Sequence, residues 1–212
     1  MNQVLVKFCG ITRLEDALCA VEAGADFLGF IFHANSPRHI TPEKAAEIIS
    51  QLPEGIKKVG VFVNESMFSI LRIVDTCGLD VIQLHGDETP EFAEKVGPEW
   101  IWKAFSLKDE GQIPGVCGFP CQAVLLDAGN AKQRGGTGKT CDWTLARKVA
   151  EQKTVVLAGG LSPDNLLEAV SQVKAVAVDV NSGVEIMPGV KNHDKIRKVM
   201  EIINKYNEGN MQ

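Results

Sequence analysis

The sequence predicts a single (β/α)8 barrel domain spanning residues 1–212, in which eight parallel strands alternate with helices and close into a cylinder. Two observations support this fold: eight apolar runs recur with starts 19 to 31 residues apart, and most of the gaps between them have helical patterns. The runs are mostly continuous blocks of aliphatic and β-branched residues, as in parallel strands covered on both faces. In order they are VLVKFC (4–9), FLGFIF (27–32), KVGVFV (58–63), VIQL (81–84), WIWKAF (100–105), AVLLDA (123–128), TVVLAG (154–159) and AVAVDV (175–180).

Most of the segments between the runs are predicted helices. In the first gap, one apolar stripe at helical spacing contains Leu14, Ala17, Leu18 and Val21. Several later helices are preceded by a residue whose side chain can accept a hydrogen bond from the first free backbone N–H groups of the helix. These residues are Thr41, Ser66, Thr89 and Asp142, and Ser162-Pro163 precedes a further predicted helix at residues 165–170.

The gap after the fifth run breaks this pattern. Residues 107–121 contain three glycines and two prolines, which exclude a helix of ordinary length. We therefore predict a missing or vestigial fifth helix. An open doubly wound sheet also alternates strands with helices and is the alternative fold. Eight consecutive units and the absence of a dinucleotide-binding fingerprint favour the barrel.

The composition narrows the functional class. Of the 212 residues, 45% are apolar and 23% are charged, as in an ordinary globular protein, and the formal net charge is −5. This acidic balance argues against a nucleic-acid partner. No apolar run approaches the ~20 residues of a membrane-spanning helix, so no membrane partner is expected. The N-terminal segment MNQVLVKFCG lacks the features of a signal peptide.

The cysteine pattern bears on the cellular compartment. A chain of this length with six scattered cysteines is not a disulfide framework, and no histidine or second cysteine pair completes a zinc site. We therefore expect reduced thiols, a cytoplasmic location and no bound metal. No two of the cysteines form a C-x-x-C pair; they are Cys9, Cys19, Cys77, Cys117, Cys121 and Cys141.

The active site of such a barrel lies at the carboxyl ends of the strands, so residues at the ends of the runs are the candidates for function. Cys9 and Asp127 lie at the ends of the first and sixth runs and form a candidate acid–base pair. A thiol becomes a useful base only where positive charge or backbone dipoles lower its pKa, and a carboxyl acts as an acid only if burial keeps its proton. The alternative role for Cys9 is core packing. Candidates for substrate contact at other strand ends are Gln83, His85 and Asp179. For His85, a structural role is the alternative.

Two glycine-containing loops follow the seventh and eighth runs and predict a phosphate site. AGGLSPDN places Gly159 and Gly160 before a helix, where free backbone N–H groups and the helix dipole favour an anion. VNSGVE repeats this arrangement with Ser182 and Gly183. Loops at these two positions form the common phosphate site of the fold. Tight turns without a ligand are the alternative.

The segment RGGTGKT (134–140) is similar to a nucleotide-binding P-loop but lacks one of its glycines, because the position that requires it is Gln133. This difference excludes a P-loop nucleotide-binding protein. We expect instead a basic, glycine-rich lid over an anionic substrate. Its central residues are Gly135, Gly136, Thr137 and Gly138.

A larger set of motifs runs in order along residues 4–200. They are KFCGIT (7–12), SPR (36–38), VGVFVN (59–64), QLHGDE (83–88), LLDA (125–128), GGTGKT (135–140), LAGGL (157–161), DVNSGVE (179–185) and PGVK (188–191). Together they resemble the phosphoribosylanthranilate isomerases of tryptophan biosynthesis. The resemblance implies a (β/α)8 barrel that lacks a regular fifth helix and is a monomer or a homodimer.

The resemblance also implies a reaction, the Amadori rearrangement of N-(5-phosphoribosyl)anthranilate to an open-chain aminodeoxyribulose phosphate. By motif, Cys9 matches the general base of the family, Asp127 its general acid, and Arg38 the residue that pairs with the anthranilate carboxylate. The two glycine-containing loops match its phosphate loops. The partner is then a small phosphorylated substrate, and no metal or organic cofactor is implied because the substrate nitrogen serves as the electron sink.

Two alternative functions remain for this protein. The first is another barrel enzyme that acts on a phosphorylated sugar. A histidine-pathway isomerase would have Asp in place of Cys9, and an indoleglycerol-phosphate synthase would have acidic and lysine residues at its strand ends. A non-catalytic phosphate-binding module is the other, and it would not need both Cys9 and Asp127.

Overall fold

The computed structural model describes residues 3–127 and 142–210 of the chain. Within them, eight parallel strands pair in sequence order, and the last pairs with the first to close a barrel. This closure confirms the predicted fold class and rules out the open sheet. The strands are β1 (Leu5–Cys9), β2 (Phe27–Ile31), β3 (Lys57–Phe62), β4 (Val81–Leu84), β5 (Ile101–Phe105), β6 (Ala123–Leu126), β7 (Val155–Leu157) and β8 (Ala177–Val180), followed by an antiparallel hairpin of β9 (Glu185–Met187) and β10 (Val190–Lys191).

Helices alternate with the strands and pack their apolar side chains against the outer face of the barrel. They are α1 (Leu14–Glu22), α2 (Pro42–Ile49), α3 (Met67–Cys77), α4 (Pro90–Val96), α5 (Ile113–Gly118), α6 (Trp143–Ala150), α7 (Leu166–Val173) and α8 (His193–Asn210). The fifth is a six-residue helix that follows a single 3₁₀ turn at Glu110–Gln112, so the prediction of a vestigial helix is confirmed. Its glycines and proline keep it short, and buried Ile113 and Val116 hold it against the barrel.

The four predicted N-terminal caps begin helices as expected. The hydroxyl groups of Thr41, Ser66 and Thr89 each accept a hydrogen bond from the backbone N–H three residues later. The Asp142 carboxylate accepts from two N–H groups at the start of α6. These contacts satisfy backbone donors that have no partner inside the helix.

The helix predicted after Ser162-Pro163, at residues 165–170, is confirmed and begins at Leu166. The Ser162 hydroxyl accepts from the Asp164 N–H at 3.3 Å, and the Ser162 carbonyl accepts from the Leu166 N–H at 3.0 Å. The Asn165 side chain adds two bonds, because its Oδ1 accepts from the Ser162 N–H at 2.9 Å and its Nδ2 donates to the Gly160 carbonyl at 3.0 Å. These bonds stabilise the turn between β7 and α7 at the carboxyl end of the barrel.

The apolar core has two parts, one between the strands and the helices and a smaller one inside the barrel. Successive strand residues alternate between these parts because side chains point to opposite faces of a strand. The interior part includes Val59, Trp102, Leu125 and Val156. Toward the carboxyl ends of the strands the same inward positions become polar, and this change places the functional side chains in one region.

No helix in the described ranges, 3–127 and 142–210, is long and apolar enough to cross a membrane.

The outer core should dominate stability. Leu28 of β2 is fully buried between the barrel and the helices, so Leu28→Ala should lower the free energy of unfolding by about 2–5 kcal/mol, measured by urea denaturation. Leu167→Ala on α7, where the side chain is 55% exposed, is the matched control and should change it by less than about 0.5 kcal/mol. Equal losses in the two variants would contradict this assignment of the core.

Candidate active site

One cavity of about 530 Å³ opens at the carboxyl ends of the barrel strands. Most of the side chains and loops that the sequence predicted for the site line it. Gly183 does not line it, and the predicted lid residues Gly135, Gly136, Thr137 and Gly138 lie outside the described residues. The predicted residues that do line the cavity are Cys9, Arg38, Gln83, His85, Asp127, Gly159, Gly160, Asp179 and Ser182.

Cys9 and Asp127 reach the cavity from different sides. Cys9 is the last residue of β1, and Asp127 directly follows β6. In the closed sheet these two strands are separated by β7 and β8 on one side and by β2 to β5 on the other. A substrate in the cavity would therefore lie between the thiol and the carboxyl group, as an acid–base pair requires.

The Cys9 thiol is almost completely buried, at 4% exposure, in a space that a glycine provides. A Cβ atom added to Gly29 on the neighbouring strand β2 would lie only 2.8 Å from Cys9 Sγ and 3.0 Å from Lys7 Cε. Burial raises the pKa of the thiol, the ammonium groups of Lys7 and Lys191 act against this rise, and the Asp179 carboxylate adds to it. The net direction of the pKa shift is upward, so these surroundings favour the neutral thiol.

A chain of buried polar contacts connects the barrel interior with Asp127. Lys7, which is fully buried, donates from Nζ to Gln83 Oε1 and to Asp179 Oδ2, both at 2.9 Å. Gln83 Nε2 lies 2.9 Å from His85 Nδ1, and His85 Nε2 lies 3.9 Å from Asp127 Oδ2. Burial lowers the pKa of Lys7, but Asp179 and Cys9 more than offset this, and the result is a raised pKa.

One carboxylate oxygen of Asp179, Oδ2, takes part in this series of contacts, and the other, Oδ1, does not. Its Oδ1 atom is buried and has no hydrogen-bond partner among the residues that the structure describes. A buried acceptor without a partner costs free energy. Because Asp179 lines the cavity, a donor group on a ligand can satisfy it.

Lys7 is a functional candidate that the sequence predictions missed. The available signal was a lysine inside an apolar run, two residues before Cys9 and therefore on the same face of β1.

Arg38 reaches the cavity within an ion pair that was not predicted. Its Nε and Nη2 atoms donate to the Glu185 carboxylate at 2.8 and 2.6 Å, and the Lys191 ammonium donates to the same carboxylate at 3.0 Å. Burial raises the pKa of Glu185, but Arg38 and Lys191 outweigh it and lower the pKa overall. Burial, together with the charge of Arg38, lowers the pKa of Lys191 although Glu185 and Cys9 act in the opposite direction. Within the described part of the chain, Arg38 Nη1 makes no hydrogen bond and is left for a ligand.

The two predicted phosphate loops lie side by side. Gly159 and Gly160 have φ angles of 83° and 65°, which glycine adopts at little cost. A Cβ on Gly183 would lie 1.9 Å from the Leu161 carbonyl oxygen, so this glycine allows the loop after β8 to pack directly on the loop after β7. No hydrogen bond outside helices and strands, among residues 3–127 and 142–210, uses the backbone N–H of Gly159, Gly160 or Ser182. These groups suit an anion.

No group of three His, Cys, Asp or Glu side chains in the described ranges is placed to hold a metal ion. The donors that line the cavity are instead those of acid–base chemistry and anion binding.

Comparison with known proteins identifies the family. The model of the family N-(5'phosphoribosyl)anthranilate (PRA) isomerase matches residues 6–202. The N-(5'-phosphoribosyl)anthranilate isomerase of Geobacter sulfurreducens is 51% identical over 195 residues, which are 92% of this chain and 96% of the relative.

Two solved structures support the same assignment, each with a TM-score of 0.85 and coverage of 96% of this chain and 100% of the other. One is a monomeric form of the dimeric phosphoribosylanthranilate isomerase of Thermotoga maritima, which is 39% identical. The other, 38% identical, is a phosphoribosylanthranilate isomerase in complex with reduced 1-(o-carboxyphenylamino)-1-deoxyribulose 5-phosphate. Since the family model and these relatives each cover nine-tenths or more of the chain, it belongs to the N-(5'-phosphoribosyl)anthranilate isomerase family.

Proposed function

We propose that this protein catalyses the Amadori rearrangement of N-(5'-phosphoribosyl)anthranilate to 1-(2-carboxyphenylamino)-1-deoxyribulose 5-phosphate, a step of tryptophan biosynthesis. The observation that carries the proposal is the position of Cys9 and Asp127 on different sides of one cavity that also has an anion-binding rim. Membership of the family and the related structure with a reduced product bound support it.

The reaction begins with opening of the ribose ring. Asp127 donates its proton to the furanose oxygen, and the bond between this oxygen and C1′ breaks. The lone pair of the anilino nitrogen forms a double bond to C1′, which gives a cationic iminium ion. General acid catalysis of this kind requires the carboxyl group to carry its proton when the substrate binds.

Cys9 completes the rearrangement as general base. Its thiolate removes the proton from C2′, and the electrons of that C–H bond move toward the iminium nitrogen to give a neutral enolamine. Proton transfer from the C2′ hydroxyl to C1′ then gives the ketone. The substrate nitrogen accepts and returns the electron pair, so the proposal includes no metal and no organic cofactor.

The protonation states that this mechanism needs are opposite to those that a carboxyl and a thiol ordinarily hold near neutral pH. Asp127 must keep a proton while Cys9 loses one, although burial raises the pKa of the thiol. The iminium ion is a positive charge formed beside Cys9, so it favours the thiolate at the step that uses it. Lys7 and Lys191 favour the thiolate throughout, and Asp179 opposes it.

The rest of the cavity holds the two ends of the substrate. We assign the phosphate to the N–H groups of Gly159, Gly160 and Ser182, with Gly183 keeping their two loops in contact. We assign the anthranilate carboxylate to Arg38.

Other predicted contacts are part of the same proposal. The buried Oδ1 of Asp179 supports its role as an acceptor for a substrate hydroxyl group. Gln83 and His85 line the cavity beside it. The lid at 135–138 also stays a prediction, since those residues lie outside the described ranges.

We further propose that the chain is one domain over residues 1–212, works in the cytoplasm and is a monomer or a homodimer. Free thiols at Cys9, Cys19, Cys77, Cys117 and Cys121 support a reducing compartment. The related enzyme of Thermotoga maritima is described as dimeric. A solution mass measurement decides between one and two chains.

The acid–base roles predict large losses of activity. Cys9→Ser and Asp127→Asn should each lower kcat by about 100-fold or more, because each removes a group that moves a proton. The measurement is the loss of anthranilate-type fluorescence of freshly made substrate in a coupled assay. Cys117→Ser on α5, away from the cavity, is the matched control and should keep wild-type activity. Full activity in both site variants would contradict the mechanism.

The raised pKa of Cys9 predicts the alkaline limb of the pH profile. Above that pKa the thiol is already ionised, and a further rise in pH only removes the proton that Asp127 needs. The alkaline fall in kcat/KM should therefore lie above the ordinary thiol value of about 8.5. The same midpoint should appear in the thiolate absorbance difference between wild type and Cys9→Ser. A limb below the ordinary thiol value contradicts this assignment.

The carboxylate role of Arg38 predicts a change in binding. Arg38→Met should raise KM by about 10-fold or more, since a charge-assisted hydrogen bond is worth ~1.5–3 kcal/mol. A substrate analogue that lacks the anthranilate carboxylate should show no such difference between wild type and variant. Arg72→Met on the exposed face of α3 is the matched control. An equal rise in KM for both substrates would assign Arg38 a structural role only.

A further inference from the structure

We propose that Lys7 and Gln83 are positioning residues that hold His85 as a neutral ring protonated at Nε2, so that an uncharged N–H donor stands beside Asp127. The observation that carries this inference is the series of side-chain contacts from Lys7 through Gln83 to His85. It rests on the proposed function only for its effect on Asp127, because the protonation state of His85 is measurable without any activity.

The first step is the orientation of the Gln83 amide. The oxygen and nitrogen of an amide look alike, and only their hydrogen-bond partners distinguish them. The ammonium group of Lys7 has three N–H donors and no acceptor, and its Nζ lies 2.9 Å from the nearest Gln83 amide atom. Only an oxygen can face it there. Since Lys7 is fully buried and also paired with Asp179, its position is fixed.

The second step transfers this orientation to the histidine ring. With its oxygen turned to Lys7, Gln83 presents its NH₂ group to His85 Nδ1 at 2.9 Å. An amide nitrogen can only donate, so Nδ1 must accept and cannot carry a proton. A neutral ring then has its proton on Nε2. A doubly protonated ring would set the Nδ1–H against the amide N–H at this distance, which is unfavourable.

The third step concerns the charges around the ring. Lys7 from β1, Asp179 from β8 and Asp127 after β6 are the charged or titratable groups connected with His85 through this chain. His85 Nε2 lies 3.9 Å from Asp127 Oδ2. A cationic ring at that distance would stabilise the Asp127 carboxylate and oppose the protonated form that opens the ribose ring. A neutral ring removes the charge and leaves only the weaker stabilisation that an N–H donor gives a carboxylate.

The barrel is built so that Lys7 can make these contacts. Its ammonium must cross the interior from β1 to Gln83 on β4, and a Cβ on Gly29 of the intervening strand β2 would lie 3.0 Å from Lys7 Cε. Asp179 is the register partner of Lys7 on the other neighbour, β8. Lys7 thus has a counter-charge on one side and open space on the other.

Nitrogen-15 NMR of labelled histidine tests the inference directly. In wild type at neutral pH, His85 should show an unprotonated Nδ1 and a protonated Nε2, with its signals assigned by their loss in His85→Gln. Gln83→Glu puts a carboxylate acceptor in place of the NH₂ group, so Nδ1 should gain a proton while Nε2 keeps its own, and the ring should become cationic. The matched control is Gln122→Glu, which adds the same charge before β6 and keeps its acceptor contact with Trp102 Nε1, so His85 should not change.

A second variant tests the role of Lys7. Lys7→Met combined with Asp179→Asn removes both buried charges together, and urea denaturation checks that the protein is folded. With the ammonium gone, the Gln83 amide can turn over, and His85 should show both neutral tautomers. A wild-type ring that is protonated at Nδ1 would overturn the proposal. So would a wild-type His85 pattern in Gln83→Glu or in the folded double variant.

Kinetics separate this inference from the proposed function. Gln83→Glu should lower kcat for N-(5'-phosphoribosyl)anthranilate by about 10-fold or more, with KM changed less, because Asp127 loses its proton more readily. An inactive wild type would refute the proposed function and leave the NMR result standing. An unchanged kcat in a Gln83→Glu protein whose His85 has gained the Nδ1 proton would overturn the effect on Asp127.

Discussion

The buried ammonium group of Lys7 is the interaction on which the rest of the candidate site depends. A charge inside the barrel is costly unless it is paired, and Lys7 meets this condition with Asp179 and Gln83. Those two contacts fix one acid and one amide in the cavity floor. The same charge acts against the upward pKa shift that burial imposes on Cys9. One lysine therefore influences both Cys9, the proposed base, and the neighbours of Asp127, the proposed acid.

The closed barrel makes such a cluster possible because it brings every second residue of each strand into one interior. The cost is crowding, and glycines relieve it at the places where side chains or loops meet. Gly29 leaves room for Cys9 and Lys7, and Gly183 allows the two predicted phosphate loops to contact each other. A Cβ on Gly10 would lie 2.8 Å from both Arg38 Cδ and Asn181 Oδ1. These glycines permit close approach, whereas Gly159 and Gly160 adopt positive φ angles that other residues rarely adopt.

The sequence predicted the eight strands, the vestigial fifth helix and the cavity positions of Cys9 and Asp127, because these features depend on local pattern and on which residues end a strand. It did not predict the partners of buried charges. Lys7 and Asp179 are 172 residues apart, and Arg38 and Glu185 are 147 apart, so their pairing depends on closure of the sheet.

The proposed substrate carries a phosphate and a carboxylate, whereas the protein has a net charge of −5, which does not favour an anionic ligand. The cavity resolves this locally. Asp179, which lines the cavity, is paired with Lys7, and Glu185, which holds the cavity residue Arg38, is paired with Arg38 and Lys191. Paired carboxylates repel an anion much less than free ones do. In the proposed complex, the phosphate meets backbone N–H groups and the anthranilate carboxylate meets the Arg38 guanidinium, which Glu185 holds in place. In this proposal, attraction comes from oriented donors inside the cavity and not from the net charge of the chain.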